Sequence, residues 1–445
     1  MKGMVALVLI ASMWSGAARA QDRPATPLAL ADAVERALAR APAIAEARAR
    51  ARAASFVADA GATLRLPSLT TTAGLLRTNH IDEFGVRQPD GTRSVIFADI
   101  PSNYRARVEA AIPLYLGGRV EAAVSAAEAD RRAAEADQRV AEADVRLAVT
   151  AAYWQAVTTA EAVGVLERAL ARTDTWVADV GARVDVGLSP PNDVLSARAE
   201  RARQHVQLID ARAAAAIAAV DLAQLVGADL GATFDLTSPV DAPDAEAARL
   251  AALPASALGE EARSRRGERA GLEARAEALR ASAAGAAAAT RPQVAAVAAV
   301  EPARPNRRFV PPADRWDTSW DLGVSVSWTF FDGGRARAER AAGDARAAAV
   351  DERVREFDDR LAVDVRRRQL ELEAAAAGVA AADEGVAAAA EARRVVAERF
   401  AAGVATSTDV LDAEVALLEA ELGRTRRAAE VRLAEARLLR TVGGA

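Results

Sequence analysis

The residues with most to offer chemically are carboxylates and two histidines. Asp193 and Asp409 each follow a glycine-containing break, Gly187 and Gly403, and open an Asp-Val-Leu triplet. An aspartate there ordinarily caps the helix that comes next. His80 and His205 are the only histidines and there is no cysteine, so a structural zinc lacks its ligand set. No Gly-x-Ser-x-Gly elbow occurs. The Gly-Gly pairs at 117–118 and 333–334 lack the Lys-Ser/Thr of a phosphate loop. Carboxylates are plentiful elsewhere, and those on solvated helices are mostly surface charge. No catalytic constellation, cofactor or metal site is expected.

The elements that would position these residues come in two copies. Gly118 recurs as Gly334, Gly187 as Gly403, Asp193 as Asp409 and Gly227 as Gly443, each 216 positions later (334 − 118 and so on). A single offset over this length marks a domain-sized duplication, outside the short periods of solenoids. Residues 21–227 form the first structural repeat, 228–256 an inter-repeat connection, and 257–445 the second repeat.

Residues 1–20 read as a secretory signal peptide: a positive start at Lys2, an apolar core, and the small-residue site Ala18-Arg19-Ala20. Cleavage after Ala20 takes the formal charge from −5 to −7 by removing Lys2 and Arg19. A mildly acidic chain has no net positive field for gathering phosphates, so nucleic acid is not an expected partner. Without cysteine, no lipid anchor on an N-terminal cysteine is expected. After the signal no run of 18 apolar residues appears, so no spanning helix is expected.

Each repeat reads as helix, two strands, a very long helix, a break and a return helix. In the first, a helix (about 28–61) precedes strands at about 63–76 and 104–116. A long helix then covers 119–184 and a return helix 192–226. The second carries a helix at about 257–289, strands at 292–300 and 317–331, a long helix over 335–400 and a return helix over 408–442. Val108, Ala110, Ile112 and Leu114 alternate with their neighbours, and Leu322, Val324, Val326, Trp328 and Phe330 do so again. Long helices of about 65 residues would each span roughly 100 Å. Such lengths suggest a coiled-coil or tubular assembly.

Strands with one apolar and one small polar face fit a half-buried sheet on a soluble core or a membrane β-barrel. An exported chain favours the barrel. So do Trp316, Trp320 and Trp328, which gather near Phe330 and Phe331 as aromatics do at membrane interfaces. Four strands cannot close a barrel, and an open sheet edge in lipid leaves backbone groups unpaired. Sister chains must complete it. Two would give eight strands, an interior just filled by side chains; three would give twelve and a conduit.

Together these features resemble the TolC family of outer-membrane efflux proteins. The residues that carry the resemblance are Leu30-Ala31-Asp32-Ala33-Val34 with Ala41-Pro42, the turns Leu116-Gly117-Gly118 and Phe331-Asp332-Gly333-Gly334, and the two Gly-x5-Asp-Val-Leu turns. The resemblance implies a mainly α fold with a small β part: a long antiparallel α-helical coiled-coil barrel joined to a transmembrane β-barrel. Each chain contributes four strands to a homotrimer of 12 strands and 12 helices. It implies an exit duct in the outer membrane of a Gram-negative bacterium, extending into the periplasm. Its expected partners are outer-membrane lipid, a periplasmic adaptor (membrane fusion) protein and an inner-membrane transporter that supplies the energy. Such a duct serves a tripartite efflux pump or a type I secretion system.

By the same resemblance, Val186, Gly187 and Leu188 with Ala402, Gly403 and Val404 form the periplasmic tips where the adaptor docks. The two glycines can equally be there only to let the chain leave a helix. Asp409, Asp412, Asp193 and Phe400 fall at the periplasmic aperture, where carboxylates from three chains would draw cations. Ala405 and Phe400 stand where some relatives carry an arginine and a tyrosine. The alternative reading is a periplasmic adaptor-like coiled-coil scaffold; such a hairpin has no need of the alternation at 322–330 and its copy at 108–114.

Overall fold

A computed structural model describes residues 25–443. The signal-peptide reading of 1–20 lies outside the described residues. In chain order the first repeat holds β1 (Thr26–Leu28), α1 (Leu30–Arg40), α2 (Pro42–Thr63), β2 (Ser68–Arg77), β3 (Phe84–Arg87), β4 (Arg93–Phe97), β5 (Ser102–Tyr115), α3 (Arg119–Asp185) and α4 (Pro191–Val226). The connection carries β6 (Phe234–Leu236) and α5 (Ala245–Ala251). The second repeat holds α6 (Ala255–Arg265), α7 (Gly267–Ala287), β7 (Gln293–Arg304), β8 (Asp317–Ser327), α8 (Arg335–Ala401) and α9 (Ser407–Val442).

The long helices α3 and α8 have 67 residues each, about 100 Å, and the return helices α4 and α9 have 36 each. Both long helices start after a left-handed glycine, Gly118 at φ 87° and Gly334 at φ 89°, and contain no proline. Small residues let neighbouring helices approach closely. A Cβ placed on Gly343 of α8 would meet the Ala283 Cβ of α7 at 2.7 Å. Larger side chains gather mid-length, where Leu28, Val34, Val149, Trp154, Leu222 and Val226 pack around Tyr153. The buried Tyr153 hydroxyl donates to the Leu28 carbonyl (2.9 Å) and accepts from the Ser238 N–H (3.0 Å), tying β1 and the connection to α3.

Several boundaries differ from the sequence expectation. The helix expected over 28–61 is two helices, because Pro42 has no N–H to continue α1 and instead occupies the first position of α2. The helix expected over 257–289 also divides, at Arg266, without any proline. There the Arg266 guanidinium reaches the Arg440 and Thr441 carbonyls at the end of α9. The first strand starts at Ser68 rather than 63, since α2 runs to Thr63 and Pro67 intervenes. The third strand extends to Arg304, and the fourth stops at Ser327 instead of 331. Beyond it, the Trp328 indole N–H donates to the Thr290 carbonyl.

One antiparallel sheet, in the order β2-β5-β7-β8, joins the two repeats through β5 and β7. Ser68 pairs with Ala111 and Gln293 with Ser327, so β7 corresponds to β2 shifted by 225 positions (293 − 68). From β5 onward the shift is 216 (327 − 111). The nine-residue difference lies between the paired strands, where the first repeat inserts the β3–β4 hairpin.

Candidate functional site

The sheet has two chemically opposite faces. Its ladders place Ala110 beside Ala298 and Ala298 beside Leu322; one pair along, Ile112, Ala296 and Val324 align in the same way. With Leu69 and Leu75 of β2, these residues form an apolar face whose large members are all exposed in the chain, Leu322 at 74%. On the other face the Arg107 guanidinium of β5 donates to both Asp321 oxygens of β8 (2.9 and 3.0 Å), to Glu109 (3.1 Å) and to Glu301 of β7 (3.5 Å). This face is polar and knits three strands together. Tyr104 and Trp316 meet near one end as tilted rings with centroids 6.0 Å apart, while Trp328 and Phe330 lie past the other end of β8. Among the described residues, the outer edges of β2 and β8 carry no partner strand.

At the opposite end of the long helices, α3 and α8 stop at matching turns. The Gly187 N–H donates to the Val184 carbonyl and the Leu188 N–H to the Arg183 carbonyl; Gly403 and Val404 repeat this with Phe400 and Arg399. Both glycines are left-handed, at φ 76° and 77°. Val186, Leu188 and Val404 are 63–74% exposed, and Ala402 is exposed as well.

The return helices are capped differently. Asp409 stands at the third position of α9 rather than at its cap, and forms a reciprocal capping box with Thr406. The Thr406 N–H and hydroxyl donate to its carboxylate (2.7 and 2.8 Å), and these bonds hold the Asp409 carboxyl below its ordinary range. In the first repeat the position of Thr406 is held by Pro190, which has no side-chain oxygen to cap with; α4 starts on Pro191, so Asp193, the counterpart of Asp409, is not the cap either. Asp193 is half-buried and Asp412 exposed. Phe400 lies inside the chain, edge-on to Trp176 at 4.7 Å and under the Arg183 guanidinium at 4.8 Å. One turn deeper, the Glu414 carboxylate of α9, 4% exposed, binds Arg172 of α3 (3.1 Å) and Arg393 of α8 (2.5 Å). These groups line a cleft of about 580 Å³ between the repeats.

A family profile described as outer membrane efflux protein matches residues 33–228 and 258–444. The chain belongs to the outer membrane efflux protein family. The two matched segments start 225 residues apart and end 216 apart, the same two shifts that relate the repeats. Among solved structures, the outer-membrane channel OprN is 22% identical, with a TM-score of 0.73, covering 94% of this chain and 90% of that one. VceC of Vibrio cholerae is 20% identical, TM-score 0.74, covering 93% and 96%. The open state of the Neisseria gonorrhoeae MtrE channel is 19% identical, TM-score 0.75, covering 93% and 89%. No curated protein matches the sequence. As a member of the outer membrane efflux protein family, the chain is an exit duct of the outer membrane, and the adaptor-like scaffold reading is set aside.

Sequence reasoning missed the Glu414 clamp. A signal was present: Glu414 interrupts the Val410, Leu411, Leu417 and Leu418 stripe of α9, and an acid on an apolar face needs a partner. The arginines that answer it lie on other helices, Arg172 in the other repeat. His80 is exposed and meets Asp99 at 2.7 Å in the β2–β5 connection; His205 is exposed on α4. The two are not brought together.

Proposed function

We propose that three copies of this chain assemble into a passive duct that serves a tripartite efflux pump or a type I secretion system. The observation that carries this reading is the two-faced, open-edged sheet. An apolar face left in water, with two unpaired edges, is unfavourable for a single chain; lipid and sister strands resolve both problems. Three copies supply twelve strands, wide enough for a conduit, where two supply only a filled eight-stranded barrel. The same arrangement sets twelve helices of the α3/α4 and α8/α9 type into a periplasmic tunnel. The mature chain starts after Ala20. It carries out no catalysis; the energy comes from an inner-membrane transporter.

The exposed apolar residues at the two helix turns support adaptor docking there. Val186, Gly187 and Leu188, with Ala402, Gly403 and Val404, offer two equivalent small apolar knobs per chain. At the same end, Asp409 and Asp412, with Asp193, constitute the aperture, and Phe400 backs it from inside the chain, packed against Trp176. Three copies of Asp409 and Asp412 concentrate six carboxylates and favour cations.

Planar-bilayer recordings of purified protein test both levels. The expected result is a cation-preferring pore whose preference weakens in Asp409→Asn combined with Asp412→Asn. Unchanged selectivity removes the carboxylate ring; no conductance from correctly folded oligomer removes the duct.

A further inference from the structure

We infer that the seam between neighbouring chains has one specific register, dictated by the internal duplication: β8 of one chain pairs antiparallel with β2 of the next, setting Val324 opposite the partner subunit's Leu75. The inference rests on the oligomeric duct proposed above and adds the geometry of its joints.

Three ladders fix this register. β2 pairs with β5 as Ser68 with Ala111, and β7 pairs with β8 as Gln293 with Ser327. These are the same hairpin in the two repeats, so β7 is the copy of β2 (+225) and β8 is the copy of β5 (+216). The third ladder, β5 with β7, is the joint between repeats inside one chain: Val108 faces Val300, Ala110 faces Ala298, and Ala111 faces Val297. The free edge of β8 is therefore the copy of the β5 edge that already binds β7, and the free edge of β2 is the copy of the β7 edge that already binds β5. Shifting each member of the known joint by its own offset gives the unknown one. Val108 with Val300 becomes Val324 with the partner subunit's Leu75. Ala110 with Ala298 becomes Val326 with the partner subunit's Ala73. Ala111 with Val297 becomes Ser327 with the partner subunit's Thr72.

The chemistry of the two faces agrees with this register. In an antiparallel pair a one-residue slip moves every side chain to the opposite face. The derived register sets apolar Val324 and Val326 against apolar Leu75 and Ala73 of the partner subunit, all on the lipid-facing side. It sets Ser327 against Thr72 of the partner subunit on the polar side. A one-residue slip would put Val324 against the partner subunit's Gly74 or Leu76 on the polar face.

Cysteine pairs test this, because the chain has no cysteine of its own. Directly opposed residues lie about 4.5–5.5 Å apart and diagonal ones about 7–8 Å, whereas a disulfide needs Cα atoms roughly 4.4–6.8 Å apart. Two intrachain controls calibrate the chemistry, Val108→Cys with Val300→Cys and Ala111→Cys with Val297→Cys. They sit on opposite faces and in opposite hydrogen-bonding classes. The matching interchain tests are Val324→Cys with Leu75→Cys and Ser327→Cys with Thr72→Cys. The slipped comparison is Val324→Cys with Ala73→Cys. Outer membranes are oxidised with copper phenanthroline and run on non-reducing denaturing gels. The interchain pair whose control links is expected to give covalent multimers to a similar extent, at least about tenfold more than the slipped pair. Slipped linkage equal to or above the derived pair overturns the register. So does linkage of a control without its interchain counterpart. Mass photometry of detergent-extracted protein separates the two levels: an oligomer with the wrong links removes only the register, and a monomer removes the assembly as well.

Discussion

Replacing Leu322 by arginine should abolish assembly in the membrane, while the same replacement at Gly323 next door should not. Leu322 is the central residue of β8, with five strand residues on either side, and its side chain is on the apolar face. Gly323 points to the opposite face, which holds Arg107 and Asp321, and a Cβ built on it meets nothing within 4 Å. Arginine on the lipid face near the bilayer midplane costs about 2–4 kcal/mol, and on the lumen side little. At about 2 kcal/mol the folded-to-unfolded ratio already falls roughly 30-fold per copy. A closed barrel carries the substitution once per chain, so three copies bring the total to about 6–12 kcal/mol, comparable to the whole stability of a domain. The assay is the fraction of heat-modifiable oligomer in the outer-membrane fraction of cells expressing each variant. Loss for Leu322→Arg with retention for Gly323→Arg is expected. Equal tolerance of both, or the reverse order, refutes the assignment of the faces and the barrel with it.

Three further outcomes follow from the helical part. Tyr153→Phe leaves the Ser238 N–H without its acceptor and the Leu28 carbonyl with the Thr237 N–H alone, and should lower stability by about 1–3 kcal/mol in urea titrations of detergent-solubilised protein. Glu414→Gln leaves Arg172 and Arg393 without their shared carboxylate. Both arginines are partly exposed and can be rehydrated, so the expected loss is about 1–3 kcal/mol rather than that of a fully buried pair. Its signature is faster proteolytic nicking where α3 meets α8 and α9; an unchanged nicking rate argues against a clamp. Thr406→Ala removes the cap of α9 at a cost of about 1 kcal/mol at pH 7. Asp409 has a folded pKa below its unfolded value, so its contribution is complete above the ordinary carboxyl pKa and is lost as pH falls through the lowered one. Thermal scans between pH 7 and pH 3 should therefore show a smaller acid-dependent loss in Thr406→Ala than in the parent chain.

Much of the fold could be read from local pattern. The 67-residue helices follow from long proline-free, alanine-rich stretches between left-handed glycines, and the strands from strict alternation at 108–114 and 322–326. Element ends were harder. α2 and α7 both break from the preceding helix at equivalent places, but only the first break has a proline; the second is held by Arg266 reaching the end of α9, a contact invisible in a linear reading. The tip glycines were legible because a helix that ends in this way needs a residue tolerant of positive φ. Asp409 was recognisable as a capping residue, though not that its partner would be Thr406, nor that two prolines would replace this device in the other repeat.

By itself the sequence determined the periodicities, the duplication and which side of the strands at 108–114 and 322–326 is apolar. These depend on backbone geometry over a few residues and survive without any partner. Only the tertiary structure decided that β5 joins β7, that Arg107 spans three strands to Asp321, and that Glu414 answers an arginine of the other repeat. Alanine-lined helices and alternating strands offer many neighbours of nearly equal merit. The choice among them is made by close approach and by satisfying buried charge, which exist only once distant segments have met.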